Sequence, residues 1–228
     1  MAKQRDSASP MWGNDRHQRG EIVEVHSRSP SRGKAFVYVF PCRHEDILKL
    51  GFSRDPLARL QALHPRYYEF FDLDRALLIH TDRVSDSLRL EAELGDRISL
   101  HNAPAPLVVP HAAAGYTEWY RGAYETLLAQ AMRLHRAEGY AMDLALLPWI
   151  RRRLEDRAGT LYAWSEGTLQ AIQAWQALGG ESGPNSLSRV LRDALGAYDA
   201  AGLDPSRWIS AAVWRWYQEF AAGIDGPR

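Results

Sequence analysis

The run Phe36-Val37-Tyr38-Val39-Phe40 alternates aromatic and β-branched residues without a break, and Leu48-Lys49-Leu50-Gly51 follows after a turn around 41–44. Residues of this kind suit a pleated, half-buried surface, so the two runs predict strands over 35–40 and about 46–51. Strands joined this closely are expected to pair antiparallel. Gly51 ends the second strand, where a missing Cβ permits close approach of another group or a positive φ. Ser53 or Asp55 can cap the next helix, with Pro56 at its first position. That helix is expected over Pro56–Leu63, with Leu57, Leu60 and Leu63 as its buried stripe and Arg59 beside the stripe.

Beyond this helix, Tyr67, Tyr68, Phe70 and Phe71 form a dense aromatic cluster, read as core or a short helix. A third strand is expected over 76–80 and a helix over about 84–95, with Val84, Leu88, Leu90 and Leu94 on its apolar side. Glu91 and Glu93 on that helix stand about 200° apart around the axis, so they cannot both face one site. Pro104, Pro106 and Pro110 make 101–117 mostly loop, with an edge strand at 107–109. From 119 to 222 the pattern reads as helical throughout. Helices are expected over 119–137, 142–157, 162–178, 186–201 and 206–222, with breaks at Gly139, Gly159, 179–183 and 202–205. Residues 1–33, rich in Ser, Arg, Gly, Asp and Pro, read as a flexible arm with a brief strand at Val23 and Val25. The expected organisation is an arm over 1–34, a mixed domain over 35–120 and a helical, Trp-rich region over 121–228.

A chain of 228 residues with 46 % hydrophobic and 25 % charged residues is large enough to bury a substantial core. Lys plus Arg equals Asp plus Glu at 28 each, so the whole chain carries no steering field for polyanions. The arm carries seven basic and four acidic side chains, whereas 35–120 carries nine against twelve. Any nucleic-acid surface must therefore be a local patch. A single cysteine, Cys42, excludes an internal disulfide and fits a reducing, cytoplasmic setting. No apolar run reaches the length of a spanning helix, and the N-terminal charges have no apolar core behind them, so neither a membrane span nor a signal peptide is expected. Seven of the eight tryptophans lie after residue 118, and those of the last helix are expected in a core or an interface with a protein partner or a second copy.

Four residues carry candidate chemistry. A strand tyrosine, Tyr38, can bury its ring and use its hydroxyl to orient or deprotonate a water. Arg59 offers a rigid fork of donors that matches a phosphate. A single carboxylate, Glu91, could hold one divalent metal that polarises a phosphoryl oxygen. Lys49 adds a point charge near the same strand end. Three of them also have an ordinary reading: core tyrosine, exposed helix arginine, surface glutamate. Arg151, Arg152 and Arg153 form a basic run that reads either as a phosphate-binding stripe or as a solvated, ion-paired face.

In order and spacing these residues resemble the GIY-YIG nuclease superfamily, over about 35–120. The closer likeness is to the phage- and bacterial-type branch that writes its second signature Lys-Ile-Gly. Phe36-Val37-Tyr38 stands at the first signature and Lys49-Leu50-Gly51 at the second. Gly51-Phe52-Ser53-Arg54-Asp55-Pro56, followed by Arg59-Leu60 and Leu63, is similar to the branch's pattern. Gly115-Tyr116-Thr117-Glu118-Trp119-Tyr120 resembles its Glu-Trp-aromatic ending. Phe36 stands where the superfamily has glycine, and Gly95 where the branch often has histidine; His44, His64 and His80 are alternative imidazoles. The resemblance implies an α+β domain around a small three-stranded, mainly antiparallel sheet with flanking helices, followed here by an all-helical region. It implies DNA phosphodiester hydrolysis, with Tyr38 orienting or activating water, Lys49 beside it, Arg59 stabilising the phosphate and Glu91 holding one Mg²⁺ or Mn²⁺. Arg54, Arg151, Arg152 and Arg153 are then the expected DNA contacts. The alternative reading keeps the same fold without catalysis, as an interaction or scaffold protein working through its helical region.

Overall fold

Strand β1 spans Arg32–Pro41 and pairs antiparallel with β2, Ile47–Ser53, with Phe36 opposite Ser53, Tyr38 opposite Gly51 and Phe40 opposite Lys49. The computed structural model describes residues 32–113, 117–179 and 186–224. Most of the expected arm, the brief strand at Val23 and Val25, Gly115, Tyr116 and most of the expected break at 179–183 lie outside the described residues. On its other side β1 pairs antiparallel with β3, Leu77–Arg83.

The sheet does not stop at three strands. Asn102–Ala103 (β4), Trp119–Arg121 (β5) and Met142–Leu144 (β6) extend it to six, in the order β4-β5-β2-β1-β3-β6 with every neighbouring pair antiparallel. This overturns the expected three-stranded sheet. The added strands are two or three residues long, too short to show an alternation of their own. Trp119 and Tyr120, expected to open a helix, are buried as strand residues, and Gly122 at φ +67 turns the chain out of the sheet before the next helix begins. Met142–Leu144 falls where helix was expected, just after Gly139 ends the preceding helix in the left-handed conformation. The expected edge strand at 107–109 is a turn, and Leu107 is fully exposed.

Helix α1 occupies the expected Pro56–Leu63, capped by Asp55, whose carboxylate accepts from the Ala58 amide at 3.1 Å. A single turn, α2, covers Tyr67–Phe70, and α3 runs over Val84–Arg97. After β5 come α4 (Tyr124–Glu138), α5 (Leu147–Ala177), α6 (Ser186–Ala200) and α7 (Ala211–Ile224). Helix α5 is one continuous element of 31 residues and runs through Gly159, where a break was expected. One glycine costs a helix about 1 kcal/mol, less than is returned by burying Leu154, Leu161, Leu169 and Ile172 along one side.

The sheet is the middle layer. Tyr38, Phe40, Leu78 and Trp119 on one face pack with Leu57, Leu60 and Leu63 of α1 and with buried residues of α5, α6 and α7. Val37, Val39, Leu48, Leu50, Leu77 and Ile79 on the other pack against Leu90 and Leu94 of α3 and Leu127, Ala131 and Leu134 of α4. The strand alternation thus sorts cleanly into two cores. The Trp-rich helices cover one face of the sheet: Trp208, Trp214 and Trp216 pack against that core. No helix of the described residues is long and apolar enough to cross a membrane.

Candidate functional site

Pairing between β5 and β2 covers only Ile47 to Lys49. One further bond runs from the Leu50 amide to the Glu118 carbonyl at 3.1 Å, and among the described residues no strand pairs with the remainder of β2, to Ser53, on that side. The result is a notch in the sheet beside Leu50 and Gly51. Groups belonging to the two faces can meet there.

Tyr38 sits directly opposite Gly51 in register, and the missing side chain makes room for its ring: a Cβ on Gly51 would lie 2.3 Å from the Tyr38 hydroxyl oxygen. The hydroxyl accepts a hydrogen bond from Arg59 Nε at 3.0 Å. The α1 leucine stripe, wholly buried, fixes the rotation of that helix and turns Arg59 toward the tyrosine. A second Arg59 nitrogen donates to the Ala113 carbonyl. Burial pushes the Tyr38 phenol up, against the pull of the Arg59 guanidinium beside it.

Lys49 is 1 % exposed, an unusual place for an ammonium, and such a charge must be paired. Its Nζ lies 2.7 Å from Glu118 Oε2, and 3.4 Å from the Glu118 carbonyl. Burial lowers the Lys49 ammonium and Glu118 opposes that shift. Burial also raises Glu118, but hydrogen bonds from Lys49 and Thr117 outweigh it and hold the carboxyl below the ordinary range. Glu118 Oε1 accepts from the Thr117 hydroxyl at 2.8 Å, so both carboxylate oxygens are engaged.

Glu91 comes from α3, on the opposite face from Tyr38, and reaches the notch from there. It lines a pocket of about 640 Å³ together with Leu50, Gly95, Asn102, Glu118 and Tyr120. Its carboxylate has neither a hydrogen bond nor an ion pair among the described residues, whereas Glu93, two residues along, is held by Arg89, Arg97 and Arg133. Burial raises the Glu91 carboxyl, and the neighbouring Glu118 charge adds to the rise, with Lys49 and Arg59 opposing it. The expected opposition of Glu91 and Glu93 around the helix is what separates a bare carboxylate from a netted one.

Tyr38, Lys49 and Arg59 lie close enough to Glu91 for the charges to act on one another, but of the five residues only Glu91 and Glu118 line the pocket. Glu118 carried no assigned role in the sequence reading, although it was part of the Glu-Trp-aromatic segment. Its signal was a lone acid directly before buried Trp119, legible only once Lys49 is known to be inside. Arg54 lies exposed in the turn between β2 and α1. The arginine run is elsewhere. Arg151 pairs with Glu155 at 3.5 Å, Arg152 with Asp143 at 3.8 Å and Arg153 with Asp156 at 4.0 Å. Asp143 belongs to β6, at the sheet edge away from the notch. None of the three alternative imidazoles lines the Glu91 pocket. His80 bonds Asp143 at 2.6 Å, His64 stacks on Phe70 and accepts from the Arg66 amide, and His44 lies exposed in the β1–β2 turn.

No group of three or more His, Cys, Asp or Glu among the described residues could cage a metal. A hard divalent ion such as Mg²⁺ does not need a cage; it binds through one or two carboxylates and keeps several waters. A bare carboxylate at an open pocket fits that donor set. Set against protein-family models, curated proteins and solved structures, the chain matches none of them.

Proposed function

We propose that this protein is a metal-dependent endonuclease of the GIY-YIG type, hydrolysing DNA phosphodiester bonds at the notch beside Gly51. The observation that carries the reading is the contrast at α3: Glu91 faces the pocket with no partner among the described residues while Glu93 is tied by three arginines. An unpaired, partly buried carboxylate is costly to keep, and such groups are retained where a ligand uses them. The DNA substrate is what the motif resemblance implies.

Glu91 would hold a single Mg²⁺ or Mn²⁺, which when bound supplies Lewis-acid polarisation of a phosphoryl oxygen. Arg59, half-buried and fixed by α1, directs its guanidinium to the same place and stabilises charge on the phosphate. Tyr38 accepts from Arg59, which leaves its own proton and remaining lone pair for a water. Because burial raises its pKa, Tyr38 serves to orient that water more readily than to deprotonate it at neutral pH. Lys49, locked to Glu118, contributes a fixed positive charge and is a poor base.

One observation favours a second reading, a catalytically silent interaction protein: part of the Arg59 guanidinium is spent on the Ala113 carbonyl. In that case the exposed Tyr162, Trp164, Trp175 and Leu178 of the helical layer are the surface to test for a protein partner or a second copy. Cleavage of labelled single-stranded, duplex and branched DNA with Mg²⁺ or Mn²⁺ separates the two. The nuclease reading expects cleavage by the intact protein and roughly a hundredfold loss or more in Glu91→Ala. Metal-independent cleavage, or none on any substrate by the folded protein, sinks it.

A further inference from the structure

Three carboxylates line the Glu91 pocket, Glu91, Asp96 and Glu118, and among the described residues Glu118 is the one that is engaged. Glu118 has both oxygens engaged, one by Lys49 at 2.7 Å and one by Thr117 at 2.8 Å. Lys49 cannot easily leave, because its side chain is 1 % exposed and its Nζ lies 5.9 Å from the centroid of the buried Trp119 ring. The register explains the arrangement. Lys49 stands opposite Phe40 and Trp119, on the face that carries Tyr38, while Glu118 lines the pocket on the Glu91 side. Their ion pair crosses the notch.

We propose that Lys49 limits the carboxylates a divalent cation meets at this site: it withholds Glu118 from an ion held at Glu91. The proposal rests on the reading of Glu91 as the metal-holding residue. Affinity for hard cations rises with the number of charged ligands. An ion held at Glu91 without Glu118 keeps more of its waters and leaves positions open for a phosphate oxygen and an attacking water. An ion shared by Glu91 and Glu118 would bind more tightly and have fewer positions to exchange. Lys49 acts here as a built-in cation standing at the second carboxylate, which gives a buried lysine on a central strand a purpose apart from proton transfer.

The test is Mn²⁺ titration of the full chain without DNA, read by the electron paramagnetic resonance of free Mn²⁺. Lys49→Met keeps most of the volume of the stem and frees Glu118; it should bind Mn²⁺ roughly tenfold more tightly than the natural protein. Glu118→Gln leaves the Lys49 charge uncompensated beside Glu91 and should weaken binding. Lys49→Met/Glu118→Gln replaces the ion pair by neutral groups and should return to within about threefold of the natural affinity. Adding Glu91→Gln to Lys49→Met should abolish the gain. The proposal fails if Lys49→Met binds no more tightly than the natural protein, if the double variant binds as tightly as Lys49→Met, or if the gain survives Glu91→Gln. Should Lys49→Met not fold, Lys49→Gln, neutral and of similar length, takes its place with the same expectations. These titrations are independent of cleavage. A protein that binds Mn²⁺ as described and cuts no DNA sustains the lysine assignment while ending the nuclease reading. A natural protein that binds no Mn²⁺ beside a Lys49→Met variant that does would still sustain it.

Discussion

The notch and helix α5 use the same residue types to opposite ends. At the notch a glycine is filled by its neighbour: Gly51 has the Tyr38 hydroxyl where its own Cβ would stand. In α5, Gly159 has nothing within 4 Å of the corresponding position. The notch buries a lysine and leaves a carboxylate bare, whereas each arginine of the α5 run is paired with an acid at 3.5–4.0 Å on the protein surface. Helical packing tolerates such slack because its stability comes from a long apolar side. The notch sacrifices stability to hold polar groups in fixed relation, as binding and catalytic sites commonly do.

The largest effect that would break this comparison is expected at Gly51. In a strand, alanine is ordinarily better than glycine by about 0.5–1 kcal/mol. Gly51→Ala should nonetheless destabilise by about 1–3 kcal/mol, because the Tyr38 ring is buried and its Cζ, 2.6 Å from the new Cβ, must be displaced. The hydrogen bond from Arg59 goes with it. Denaturant unfolding measures the loss. A neutral or stabilising alanine would show that Tyr38 can move aside and that the notch is not a fixed structure.

The two glutamates of α3 give a smaller contrast, of opposite sign. Glu93 bonds Arg97 at 3.1 Å and Arg133 at 3.3 Å in a partly exposed network, so Glu93→Gln should destabilise by about 0.3–1 kcal/mol, less at high salt. Glu91→Gln should stabilise the metal-free protein near neutral pH. The sign follows from the raised Glu91 carboxyl: the folded state binds its proton more readily than the unfolded chain. The penalty of keeping it charged is present at neutral pH and is relieved as pH falls through the folded value. Thermal midpoints of Glu91→Gln and the natural protein should therefore converge as pH falls through the carboxylate range. A Glu91→Gln protein less stable at neutral pH would give Glu91 a structural role.

Much of the notch was legible in the sequence because its parts are local. The alternation at 36–40, Gly51 at the close of its strand and the Asp55-Pro56 helix start each follow from short-range stereochemistry. The motif resemblance, which no comparison supports, was what suggested relating Arg59 and Glu91 to Tyr38. What escaped was set at long range. Trp119–Arg121 and Met142–Leu144 become strands only because β2 and β3 offer them an edge, so nothing within three residues announces them. Lys49 looked like a free charge because its partner lies 69 residues away, and Glu118 went unassigned for the same reason. The arginine run stayed open between a phosphate stripe and an ion-paired face because one of its acids, Asp143, sits on a strand that the helical pattern had hidden.

Gly159 offers the smallest and cleanest way to sharpen the comparison. It was read as a helix break and instead lies inside α5, next to the buried Ala158 and two residues from the buried Leu161. An added methyl group meets no atom, and alanine reduces the backbone entropy lost on folding. Gly159→Ala should therefore stabilise by about 0.5–1 kcal/mol, a rise of roughly 1–4 °C in the thermal midpoint for a chain of this size. It should leave the Mn²⁺ affinity unchanged, since it touches nothing at the notch. A loss of stability would mean that the surface of α5 at Gly159 is occupied when the protein is folded in solution. That would point to a partner or a second copy seated against the helical layer, and would make α5, beside the notch, the place to look for the protein's work.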